Sequence, residues 1–120
     1  MKKNSKIENC ANNLYNEFPK AEVFIKYAKK INVSEGILYV AEQEECHWFL
    51  DIMVQNCIMV SEIKYQKWKL LKNPDGEILV VALDRKCNRL LEINVPEKDF
   101  YFSSLTICKI SNNLLMPCEQ

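Results

Sequence analysis

Glycine is nearly absent from the sequence: Gly36 and Gly76 are the only two among 120 residues. Phosphate cradles of the Walker and dinucleotide-binding types need several glycines within a few residues, so both are excluded. His47 is the single histidine, which removes HExxH and other multi-histidine metal centres. No GxSxG elbow occurs, and no thiol or hydroxyl is placed beside a base in a recognised nucleophile pattern. The six cysteines, at 10, 46, 57, 87, 108 and 118, form no CxxC or CxH spacing. A zinc site would need Cys46, His47 and distant partners, whereas structural zinc draws on closely spaced pairs. Reduced thiols acting as small hydrophobes are therefore expected, with no metal and no cofactor. No apolar run approaches the ~20 residues of a membrane span. The start, Met1-Lys2-Lys3-Asn4-Ser5-Lys6, is basic but no apolar stretch follows, so no secretory signal and a cytoplasmic location are expected.

What is present is an ordinary globular composition, 48 % hydrophobic and 27 % charged, which argues for a folded chain rather than a disordered one. The length suits one domain over residues 1–120. Sixteen basic and sixteen acidic residues cancel, which speaks against bulk attraction to nucleic acid or anionic membrane. The cancellation hides blocks. Residues 1–33 carry +4, 34–62 carry −6 with no Lys or Arg, 63–73 carry +4 with no acid, and 74–120 carry −2.

The first half reads as helical. Ser5 and Glu8 predict a capping box ahead of a stripe of Ile7, Cys10, Ala11, Leu14 and Phe18. Pro19 suits the first turn of a second helix with Val23, Phe24, Tyr27, Ala28 and Ile31 on one side. Ser34 is a good cap for a third helix through Ile37, Leu38, Ala41 and Glu42. The run 47–54 is apolar on nearly every side and reads as a short buried helix in which Asp51 is the anomaly. From Glu62 onward strands take over: 62–72, 78–83, 90–95, 105–110 and 114–116. Asn73-Pro74-Asp75-Gly76 predicts a type I turn, residues 84–88 a longer loop, and Asn112-Asn113 a two-residue turn, with Pro117 ending an edge strand. The expected fold is α+β: three to four N-terminal helices (about 5–57) on one face of a four- to five-stranded antiparallel meander (about 61–118).

The segments Trp48-Phe49-Leu50-Asp51-Ile52, Tyr65-Gln66-Lys67-Trp68-Lys69-Leu70, Lys98-Asp99-Phe100 and Leu114-Leu115-Met116-Pro117-Cys118-Glu119 occur in that order. Across residues 34–119 the chain resembles a small, uncharacterised bacterial domain family of unknown function. Residues 84–88, where glycines are expected, and Gln120, in place of Tyr, depart from the pattern. The resemblance implies a cytosolic bacterial or mobile-element setting and no chemistry.

Three functional readings follow. The acids Glu35, Glu42, Glu44 and Glu45 form a cluster in which the last three crowd a helix end where the dipole disfavours negative charge. They suggest a non-enzymatic module, phage or mobile-element encoded, that docks on a larger bacterial protein, for instance as an inhibitor of a defence nuclease. The second reading is a nucleic-acid or nucleotide binder using Lys64, Tyr65, Lys67, Lys69 and Lys72, helped by Lys26, Lys29 and Lys30. Trp68 and Tyr65 lie on opposite faces of such a strand and cannot share one stacking platform. The third is an enzyme using Asp51 and His47, although one His beside one Asp specifies no reaction. A homodimer through an edge strand such as 114–118 is compatible with the pattern.

Overall fold

The computed structural model describes residues 10–60, 62–96 and 100–120. Its elements, in order, are α1 (Ala11–Leu14), β1 (Phe24–Ala28), β2 (Ile31–Ser34), α2 (Glu35–Gln43), α3 (His47–Asn56), β3 (Tyr65–Lys72), β4 (Ile78–Leu83), β5 (Arg89–Val95), β6 (Ser104–Ile110) and β7 (Asn113–Leu115). Short 3₁₀ turns follow α3 at Cys57–Val60 and close the chain at Pro117–Glu119. The seven strands form one mixed sheet in the order β1-β2-β7-β6-β3-β4-β5. Among the described residues no helix is long and apolar enough to cross a membrane.

This corrects the expected architecture. Among the described residues only α2 and α3 exceed a single helical turn, and the sheet is neither four- to five-stranded nor an antiparallel meander. The helix expected from Pro19 to Ile31 is an antiparallel hairpin, with Ile25 opposite Val33 and a register shift between Lys26 and Ala28. Val23, Phe24, Ile25 and Tyr27 are β-branched or aromatic residues that fit a pleated surface. The apolar spacing read there as helical is equally served by a bulged strand, because the extra residue resets the alternation. The first stripe survives as one turn, α1, with Phe18 beyond it outside any helix or strand. The Ser5–Glu8 box and Ile7 lie outside the described residues, as do Lys98 and Asp99.

β7 is also not an edge. It pairs antiparallel with β6 (Lys109 opposite Leu114) and parallel with β2 (Val33 opposite Leu114). Both of its sides are therefore occupied, which removes 114–118 as a dimerising edge. The turn before it uses Ser111, at φ 55, and Asn112, one residue earlier than expected.

Within β3 alternate residues Gln66, Trp68 and Leu70 are buried, while Tyr65, Lys67 and Lys69 are only partly covered. Trp68 sits opposite Ala82 of β4 and Ile107 of β6. Phe49, Leu50 and Met53 of α3 and Ile37, Val40 and Ala41 of α2 complete the core over this face. Burial of that many large side chains, each worth roughly 1.5–3 kcal/mol, is what holds the helices to the sheet.

Candidate functional site

α2 begins where the sequence says it should. The Ser34 hydroxyl accepts a hydrogen bond from the Ile37 amide at 3.1 Å, satisfying one of the free donors of the first turn. The same hydroxyl donates to Glu119 at 2.6 Å, and the Glu119 carboxylate also accepts from the amides of Gly36 (3.3 Å) and Met116 (2.8 Å). The buried acid thus sits against a helix N-terminus, where negative charge is favoured. At the other end Glu45 adopts φ 52 and the Cys46 amide reaches back to the Ala41 carbonyl at 2.9 Å, the six-to-one bond of a Schellman stop.

Between these ends α2 buries Gly36, Ile37, Val40 and Ala41. Its outer stripe is Glu35, Tyr39 and Glu42, spaced four and three residues apart on one face. Tyr39 is 49 % exposed. Its ring meets Tyr15 edge-on at 6.1 Å and Phe18 edge-on at 6.0 Å, and Tyr15 stacks on Phe18 at 6.5 Å. Leu14 (61 % exposed) and Val23 (54 % exposed) extend this apolar ground. Two hollows of about 520 Å³ flank Tyr39, one toward Val23 and Glu35 and the other toward Leu14 and Glu17. The result is an aromatic ridge with acids at its margin.

The four predicted acids do not act as one cluster. Glu35 and Glu42 project from the ridge; Glu45, also exposed, lies past the helix stop. Glu44 accepts a hydrogen bond from the Tyr15 hydroxyl. Burial, followed by that hydrogen bond, pushes the Tyr15 phenol far above its ordinary range.

The predicted basic strand is divided among three places. Lys67 and Lys69 share the open face of the sheet with Tyr65, whose ring is covered by the Arg85 guanidinium at 4.2 Å. The face a base would stack on is therefore occupied by a cation. Lys72 donates to the Phe100 carbonyl at 2.6 Å, and Lys64 lies at the sheet's end with Lys29 and Lys30. Lys26 is exposed on β1.

Asp51 corrects the expectation of a buried acid: it is exposed on α3. Tyr27, from the hairpin, donates to it at 2.6 Å and stacks on His47 at 6.4 Å. Burial first, then this hydrogen bond, pushes the Tyr27 phenol well up. Cys46 is buried, and desolvation raises its thiol to about 12. A thiol held in that form is a poor nucleophile and a poor metal ligand.

Tyr39 escaped notice as a site residue although the sequence carried its signal, four residues beyond Glu35 in a correctly expected helix. The helical spacing of Leu14 and Phe18 predicts a core stripe, because nothing local reveals that α1 is a single turn.

A family model described as "Family of unknown function (DUF6876)" matches residues 9–120. No curated protein and no solved structure matches the chain. The chain belongs to that family of unknown function.

Proposed function

We propose that this member of a family of unknown function is a small protein-binding module that docks through the ridge around Tyr39 onto a basic surface of a larger protein. The observation that carries the reading is the exposed stripe Glu35–Tyr39–Glu42 lying against Leu14 and Phe18. A large, rigid, half-exposed aromatic between two hollows is the form taken by interface anchors. Carboxylates at its margin select a partner with Lys or Arg and steer its approach. Interface residues of this kind supply contact area and orientation, and they require no chemistry from the chain. A partner whose own groove receives a polyanion presents such a surface, so inhibition of a nuclease by occupying its groove is one form the docking takes.

Affinity capture with the intact chain tests the proposal, comparing wild type with Tyr39→Ala and with the charge reversals Glu35→Lys and Glu42→Lys. Wild type retains a stoichiometric protein partner. Tyr39→Ala weakens it by about 2 kcal/mol or more, and the reversals weaken it further at low salt than at high salt. Absence of any stoichiometric partner, or equal retention by all three variants, overturns it.

A further inference from the structure

We propose that a second site, the cleft enclosed by Lys29, Lys30, Lys64 and Lys109, binds the phosphate group of a small phosphorylated ligand. The cleft has a volume of about 810 Å³, within the range of pockets that hold small molecules. Four lysines line it and, among the described residues, no Asp or Glu does. Its apolar wall comes from Ile31, Val54 and Cys57.

Lys109 is the decisive residue. It is 4 % exposed, and a buried ammonium is retained only where something compensates it. Its amine donates to the carbonyl of Ser111, and among the described residues no carboxylate lies within ion-pair distance. Gln66, its neighbour across the β3–β6 ladder, is no help. The Gln66 amide donates to the Val60 and Ile63 carbonyls, and its oxygen accepts from the Trp68 indole. Among the described residues Lys109 therefore has one acceptor for three donors. Desolvation pushes its pKa down, the direction in which burial moves any ammonium.

The rim is held by backbone rather than by the lysines themselves. The Ser111 amide donates to the Lys64 carbonyl at 2.8 Å, and the Asn32 amide donates to the Asn112 carbonyl at 2.9 Å. Three segments distant in sequence are thereby fixed around one opening, so the backbone needs little ordering when an anion enters. Concavity separates this site from a nucleic-acid track: the four lysines border one cleft, whereas a track follows a strand of phosphates.

Calorimetric titration of the full chain with inorganic pyrophosphate, ATP and single-stranded oligothymidylate tests the assignment. Wild type binds pyrophosphate and ATP saturably. Lys64→Ala and Lys109→Met each weaken that binding about tenfold or more, the scale of one charge-assisted hydrogen bond. The paired change Lys67→Ala and Lys69→Ala leaves it unaltered. Tighter binding of ATP than of pyrophosphate assigns the organic portion to the Ile31–Val54 wall, and equal affinity assigns the site to the phosphates alone. Lys64 is exposed, so Lys64→Ala reports on the site even if Lys109→Met does not fold. Tyr39→Ala keeps pyrophosphate affinity, which separates this site from the docking ridge. No saturable binding at millimolar pyrophosphate and ATP overturns the proposal. So does binding that survives both lysine changes, or binding confined to oligothymidylate and lost with Lys67 and Lys69.

Discussion

Gly36 shows how one residue's missing side chain organises the molecule. A Cβ built there meets the Glu119 carboxylate at 2.6 Å, too close for any real contact. The absence of that carbon lets the C-terminal acid approach the start of α2 and take bonds from Ser34, Gly36 and Met116 together. In an ordinary helix Ala would be preferred over Gly by about 1 kcal/mol. Here Gly36→Ala displaces a buried carboxylate from its donors, each bond being worth about 1.5–3 kcal/mol. The displacement outweighs the propensity, and Gly36→Ala lowers stability by about 2 kcal/mol in urea unfolding. A variant as stable as wild type would show that Glu119 does not clamp the helix.

The loop between β4 and β5 is held by a carboxylate, so its contribution to stability depends on pH. Its geometry is set by Asp84, whose Oδ1 accepts from the amides of Asn88 (2.8 Å) and Lys86 (2.9 Å) while Oδ2 accepts from the Asn88 side chain at 3.1 Å. These bonds, that of the Asn88 amide foremost, hold the carboxyl below its ordinary range. A depressed carboxylate stabilises the fold above the unfolded pKa of about 3.9 and loses that contribution as pH falls through the lower folded value. The stability difference between wild type and Asp84→Ala is therefore full at neutral pH. It declines below about pH 4, measured by thermal unfolding across the acid range. A pH-independent difference would contradict the bonding described. The same loop places Cys87 at φ 68, a left-handed conformation that favours glycine, within the stretch 84–88 where the family resemblance implies glycines. The Asp84–Asn88 bonds offset what that backbone costs.

Over the whole molecule the question is how zero net charge is arranged. The acidic block 34–62 and the basic block 63–73 do not neutralise one another: among the described residues the one ion pair joins Arg89 to Glu92. Glu44 and Asp51 take tyrosine hydroxyls instead, and four lysines gather in a cleft without acids. Stability resting on the apolar core rather than on ion pairs should respond weakly to salt. Raising sodium chloride from about 0.05 to 0.5 M leaves the Tm within about 2 °C, while partner capture through the Tyr39 ridge weakens. A steep fall in Tm over the same range would mean that paired charges carry the fold.

Local signals made several elements legible. Ser34 announced α2 because a cap is chemistry within four residues. Asn73-Pro74-Asp75-Gly76 announced the β3–β4 hairpin because φ preferences are properties of single residues, and Gly76 indeed stands at φ 94. The segregated charge was likewise readable directly. Only the tertiary structure decided that 24–34 is a hairpin, since its apolar spacing serves helix or bulged strand and the choice follows from which sheet position it fills. It alone put β7 between β2 and β6, pairing residues more than eighty positions apart, as Val33 and Leu114 are. Lys109, one alternating residue of a strand in the sequence, lines a basic cleft only because Lys29 and Lys30, the end of α3 and Lys64 are brought beside it. Capping and turn formation act within a few bonds of the chain. Strand order and the burial of a lone ammonium depend on every surface that must be covered at once.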